Sequence, residues 1–144
     1  MDHDRPFKEL LSTFFVEFLD LFLPEIGAAL DRSIAVISMD KELFTDVTHG
    51  ETHEVDVLMK ARFQNEDAFF LIHVENQSKA QTDFPKRMFR YFARLTEKYD
   101  LPISSWPFSL MMPRRPEPSR FVVAFSRESV LQFRCQVIHL NRLP

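Results

Sequence analysis

Glycine is nearly absent from this sequence: Gly27 and Gly50 are the only 2 among 144 residues. Neither common glycine-rich phosphate loop can be built from them, which excludes P-loop NTPases and Rossmann dehydrogenases. The one cysteine, Cys135, makes no intramolecular disulfide and no Cys-based zinc site by itself. It sits in an apolar alternation and reads as inert core, which fits a reducing compartment. Long apolar runs are missing too, since the run 19–23 is broken by Asp20 and falls far short of the ~20 residues that span a bilayer. The opening MDHDRPFKELL lacks the positive, apolar, small order of a signal peptide. The expectation is a soluble, cytoplasmic protein with no membrane partner. A basic excess is also lacking: 18 Lys and Arg against 21 Asp and Glu give a net charge of −3. Overall charge therefore argues against nucleic-acid binding and leaves room only for a local basic face.

What the chain does have is phenylalanine, 16 residues against 2 Tyr and 1 Trp. With 45% hydrophobic and 27% charged residues, its length suits one globular domain over 1–144 that needs no staples. Residues 5–23 carry Phe7, Leu10, Leu11, Phe14, Phe15, Phe18, Leu21 and Phe22 at helical spacing. Asp4 suits the N-cap and Pro6 the first turn. Pro24 ends this helix or opens a short second one through residue 30.

The period then changes. Segments 34–47, 53–63 and 68–77 are rich in β-branched and aromatic residues and predict three strands. Gly50 marks a turn in the first connection, and Gln64-Asn65-Glu66-Asp67 is a polar turn in the second. An amphipathic helix follows over 84–99. Met88, Tyr91, Phe92, Leu95 and Tyr99 form its apolar side, and Lys86, Arg90, Arg94 and Lys98 recur at steps of four. Two final strands are predicted over 121–125 and 130–140.

Alternate strand residues share a face. In the third strand this puts His73, Glu75 and Gln77 together, opposite apolar Phe70, Ile72 and Val74. In the second, Glu54 and Asp56 share a face with Leu58 and Lys60. Counting back from a turn near residue 65 sets Asp56 level with Glu75 on the neighbouring antiparallel strand. Two carboxylates so placed suit Mg²⁺ or another hard divalent cation, which takes oxygen ligands, waters and a substrate phosphate. Such a metal activates water and neutralises charge on a phosphodiester. Gln77 could orient that water without adding charge. Spacing alone also fits two solvated acids at a sheet edge, a hydrogen-bonded structural His73 and a solvated basic helix face.

Several spaced stretches together resemble a known family. HDRPFKELLSTFFVEFL, DKELFTDVTHGETHEVDVLMKARF and FFLIHVENQSKAQTDFPKRMFRYFARLTEKY look like the Rpn family of transposases and recombination-promoting nucleases. That family belongs to the PD-(D/E)XK nuclease superfamily. The likeness covers about residues 3–100 and resumes at RRPEPSRFVVAF and VIHLNRLP. It implies an α/β fold with a restriction-endonuclease-like core of order α-β-β-β-α-β, a mixed sheet flanked by helices. It implies metal-dependent DNA cleavage, with Asp56, Glu75 and Gln77 catalytic, and Asp56, Glu75 and the Asn76 carbonyl holding Mg²⁺. Gln77 stands where many superfamily members have lysine. Tyr91 falls in the helix after the site, and His73 beside it. DNA is the implied partner, with Lys86, Arg90 and Arg94 placed to hold its phosphates; a homodimer stays open. His3-Asp4 and Phe7-Lys8 match a family signature without an assigned chemical role.

Residues 101–113, LPISSWPFSLMMP, depart from the family pattern, which has an apolar strand there. Pro107 would remove a ladder donor from a central strand. Trp and Met have single codons, and reading this stretch one base earlier restores an apolar run. The pattern predicts two compensating frameshifts flanking roughly 104–112, with residues 102–112 a poor strand or loop and 121–125 partly unpaired. Together with the stop at Leu143-Pro144, it suggests a truncated copy. The alternative to an active nuclease is thus a decayed transposase remnant that at most binds DNA or a protein.

Overall fold

The computed structural model describes residues 4–39, 42–45, 52–77, 83–109 and 119–139. His3, Gly50 and residues 110–118 lie outside these, as do the side chains of Asp4, Phe7 and Glu54.

The Phe-rich segment forms α1 (Asp4–Thr13) and α2 (Phe15–Phe22) instead of one helix. Asp4 is thus already helical. The break falls at Phe14, where φ is −111° and ψ 38°. Backbone bonds from Phe14 to Leu10 and from Phe18 to Phe14 run through it, so the rod bends without ending. Phe14 turns outward, while Leu11, Phe15, Phe18 and Leu19 turn in. Pro24 opens α3 (Pro24–Ala29), the position where its missing N–H is not needed. A Cβ on Gly27 would lie 2.5 Å from the Asp20 carboxylate, so a larger residue here would push that side chain aside. That carboxylate grips Arg32, whose guanidinium also donates to the Gly27 carbonyl at 3.2 Å.

The central sheet has five strands in the order β1 (Ile37–Ser38), β4 (Val57–Arg62), β5 (Phe69–Asn76), β6 (Ile103–Ser109) and β9 (Ile138–His139). It is mixed: β1, β4 and β5 run antiparallel, and β6 and β9 run parallel to β5. β5 sits in the middle, its interior residues buried on both faces. Phe70, Ile72 and Val74 pack with Leu11, Phe15, Phe18 and Leu19 of the N-terminal helices. The opposite face carries Leu71 and, from β4, Leu58 against Tyr91 and Leu95 of α4 (Phe84–Tyr99). Helices therefore cover both sides of an α/β sheet.

The predicted first strand is divided. β1 joins the main sheet, while β2 (Glu42–Thr45) pairs with β3 (Thr52–Glu54) as a separate ribbon. The second strand is interrupted at Val55-Asp56. There the Asp56 N–H bonds the Glu75 side chain in place of a ladder carbonyl, and β3 leaves the sheet. The polar turn at 64–67 forms with Asn65 in the left-handed region at φ 68°.

The expected loop at 102–112 is overturned over its described part. Residues 103–109 form β6, which pairs with β5 from Leu71↔Ile103 to Asn76↔Phe108. Pro107 fits for a reason of parity. Leu71 N–H bonds the Pro102 carbonyl and Gln77 N–H the Phe108 carbonyl, so even-numbered residues of β6 face β5. The absent N–H of Pro107 thus faces the other side, short of the two positions where β9 pairs. The serines are satisfied too: Ser104 Oγ accepts the Trp106 indole N–H at 2.6 Å, and Ser105 Oγ lies 3.1 Å from His73 Nδ1. Nothing in this pairing calls for a change of reading frame.

The last segment also differs from expectation. β7 (Arg120–Phe125) and β8 (Glu128–Arg134) form their own hairpin, and β9 crosses back to the main sheet. β7 is paired along its length with β8, yet Val122, Val123, Phe125 and Val130 stay exposed. Phe121 and Phe133 dock the hairpin on Phe89 and Phe92 of α4 at ring distances of 5.3–5.6 Å. Cys135 is buried, which pushes its thiol pKa up and suits an unreactive side chain. Among the described residues no helix is long and apolar enough to cross a membrane.

Candidate functional site

The antiparallel register Val57↔Val74 brings Asp56 and Glu75 face to face one step beyond the last paired residues. Each side chain then bonds the other strand's backbone. Asp56 N–H donates to Glu75 Oε1 at 2.9 Å, and Asn76 N–H donates to Asp56 Oδ2 at 2.7 Å. This crossed clasp replaces the backbone ladder where β3 peels away. In an antiparallel strand the N–H and C=O of one residue leave on the same side. The Asn76 carbonyl is therefore directed toward Asp56 as well.

Glu75 is almost wholly enclosed at 3% exposure, His73 at 0% and Gln77 at 5%. Burial raises the Glu75 pKa above the usual carboxylate value; the nearby Asp56 charge pushes the same way, and the His73 bond opposes it. His73 Nε2 lies 2.9 Å from Glu75 Oε1 and Nδ1 faces Ser105 Oγ. With Glu75 ionised, Nε2 carries the proton and Nδ1 accepts from the serine. Both imidazole nitrogens are thereby satisfied, and His73 positions Glu75.

Two oxygens lie outside the clasp, Asp56 Oδ1 and Glu75 Oε2. Lys8 from α1 reaches the first, its Nζ 2.9 Å from Oδ1, with side-chain exposures of 29% for Lys8 and 18% for Asp56. Sequence reasoning singled out Lys8 without a role. A signal was present: Lys8 lies one turn before Leu11 on the helix face that continues through Phe15 and Phe18. A lysine on a buried face calls for an acid. Ser105 was also missed, because the apolar pattern expected at that position has no use for a hydroxyl.

Tyr91 closes the site from α4, its ring edge-to-face with His73 at 5.9 Å. Burial, then the Glu75 charge, raises its phenol pKa, while Arg87 and Arg90 pull the other way. Arg90 of the basic flank of α4 therefore acts on Tyr91. Lys86, Arg90 and Arg94 are all exposed, and Arg94 also contacts Glu97 at 3.4 Å. Arg87 lies over the rings of Phe84 and Tyr91.

Among the described residues no three or more His, Cys, Asp or Glu side chains gather as a metal-binding group. The set on offer is two carboxylates and a main-chain carbonyl, all hard oxygen donors. This suits Mg²⁺, which keeps several waters, and not a zinc cage. Gln77 Oε1, on the same strand face as Glu75, is buried with no hydrogen-bond partner among the protein atoms. Such an orphan acceptor fits a water or hydrated cation in the site.

A family model described as "Putative transposase, YhgA-like" matches residues 1–113, and the chain belongs to this transposase-like family. The match spans Lys8, Asp56, Glu75, Gln77, α4 and β6. No curated protein and no solved structure matches the chain.

Proposed function

We propose that the chain is a divalent-metal-dependent DNA endonuclease of the recombination-promoting Rpn kind, built on a restriction-endonuclease-like core. The observation that carries this reading is the crossed clasp of Asp56 and Glu75 at the end of β4 and β5. It keeps one oxygen of each carboxylate out of the backbone bonding where the strands diverge. Asp56, Glu75 and the Asn76 carbonyl would hold the cation. When bound, a divalent cation neutralises phosphodiester charge and polarises a phosphoryl oxygen as a Lewis acid.

The remaining steps belong to the chain's own groups. Gln77 Oε1 accepts a hydrogen bond from the attacking water and so aims its oxygen at phosphorus. His73 and Ser105 hold Glu75 in place from below. Lys86, Arg90 and Arg94 bind the phosphate backbone and offset the acidic net charge locally. Water adds its oxygen to phosphorus and gives up a proton to solvent, one P–O ester bond breaks, and the leaving oxygen takes a proton back from solvent. Membership in a transposase-like family supports the DNA substrate and the mobile-element context.

The alternative of a decayed remnant draws in part on a damaged strand after α4, and β6 pairs along β5 there. The test is plasmid nicking by purified protein. Nicking that needs Mg²⁺ and disappears with a chelator supports the reading. Absence of cleavage across divalent metals, with DNA binding retained, supports the remnant.

A further inference from the structure

We infer that Lys8 is a catalytic residue of this site, its ammonium resting on Asp56 until a phosphodiester arrives and then contacting a non-bridging oxygen of the scissile phosphate. The inference rests on the nuclease reading above and adds a group to it.

The oxygen inventory points there. Asp56 Oδ2 is taken by Asn76 N–H, and Glu75 Oε1 by Asp56 N–H and His73. Lys8 Nζ sits on Asp56 Oδ1, one of the two oxygens left over. It therefore stands on an oxygen that a bound cation would take. Charge balance agrees. With both carboxylates deprotonated, as metal ligation requires, they and one ammonium sum to a single negative charge; a divalent cation and one phosphodiester bring the total to zero. Gln77, just past the end of β5, brings no charge. Phosphoryl transfer spreads negative charge over the phosphoryl oxygens, so a cation already in place lowers the barrier without reorganising solvent. Lysine also has a four-carbon stem, which lets the ammonium shift from carboxylate to phosphate while α1 stays docked.

The competing role is a staple that pins α1 to the sheet. A largely enclosed ion pair is a weak staple, because removing both ions from water offsets most of their attraction. Leu11, Phe15 and Phe18 already dock that end of the molecule.

The test compares wild type with Lys8→Met and Lys8→Arg in three measurements: melting temperature, Mn²⁺ affinity by titration, and plasmid cleavage kinetics. Lys8→Met keeps the stem and removes the charge. We expect its melting temperature to hold or rise and its Mn²⁺ affinity to increase severalfold, because no ammonium competes for Oδ1. Its kcat should fall about 100-fold with KM little changed. Lys8→Arg should recover part of that loss. Wild-type cleavage by Lys8→Met overturns the inference, as does a lost activity that tracks a lowered melting temperature. Should the wild type bind Mn²⁺ and leave DNA intact, the nuclease reading fails by itself. Lys8 is then judged by the titration: tighter Mn²⁺ binding in Lys8→Met keeps it at the metal-facing oxygen, and unchanged binding removes it.

Discussion

Asp56 and Glu75 each set a carboxylate oxygen on the opposite strand's backbone: the Asp56 N–H donates to Glu75 Oε1 at 2.9 Å, and the Asn76 N–H donates to Asp56 Oδ2. The clasp both ends the β4–β5 ladder and keeps one oxygen of each acid out of backbone bonding. Structure and chemistry at this point share one set of bonds, so substitutions here should separate into stability and activity effects.

Asp56→Ala takes the acceptor of the Asn76 N–H and one ion-pair partner of Lys8 away. An orphaned, partly buried donor costs about 1–3 kcal/mol. Asp56→Asn keeps an acceptor and should cost less. Urea denaturation should rank the two in that order, and both should lose cleavage. Equal stability of the two would mean that the Asn76 bond contributes nothing.

The pH dependence has a definite sign. Burial holds the folded-state pKa of Glu75 above its unfolded value of 4.5. Between those values the native state binds more protons than the unfolded state. Stability from this group is therefore greatest at low pH and declines as pH rises from about 4.5 through the folded pKa. Glu75→Gln should flatten that decline and be no less stable than wild type at neutral pH. Mg²⁺ should raise the melting temperature of wild type by binding only the native state. Thermal melts across pH, with and without Mg²⁺, check both statements.

Ser105→Val should destabilise the fold by about 1–3 kcal/mol, because it leaves buried His73 Nδ1 without a partner. Replacing residues 104–106 by Ile-Val-Leu should therefore lower the melting temperature. Pro107→Ala should lower it as well, since the buried ring is lost and the restored N–H lies short of the residues that β9 pairs. A rise in melting temperature with the apolar replacement would revive the view that this segment is damaged.

These residues show what the sequence makes legible and what it hides. Alternation in 69–77 predicts the two faces of β5, and period 3.6 predicts the bounds of α4, because both depend only on local spacing. The level placement of Asp56 and Glu75 follows from one short turn. Pro107 misleads because its effect depends on which neighbour its nitrogen faces, and no local pattern carries that parity. The break at Asp56 has the same character, being caused by a side chain 19 residues away. Lys8 and Ser105 reach the site through the tertiary fold alone. In 130–140, apolar alternation runs across Cys135 and conceals the point where the chain leaves β8 for β9.

Arg90→Gln and Arg94→Gln should weaken DNA binding at every sequence and make its salt dependence shallower. The slope of log affinity against log salt should fall by about 0.9 for each phosphate that is no longer neutralised. Arg94 shares its charge with Glu97, so Arg90 should give the larger change. An unchanged slope would return this flank of α4 to ordinary solvated surface.

The central claim is that Asp56 and Glu75 form a metal-dependent phosphodiesterase centre. Wild type, Asp56→Ala and Glu75→Ala, purified in parallel, can be incubated with supercoiled plasmid in Mg²⁺ and in chelator. The account predicts nicking by wild type in Mg²⁺ alone, and none by either variant under any condition. Nicking that persists in chelator, or in both variants, would contradict it.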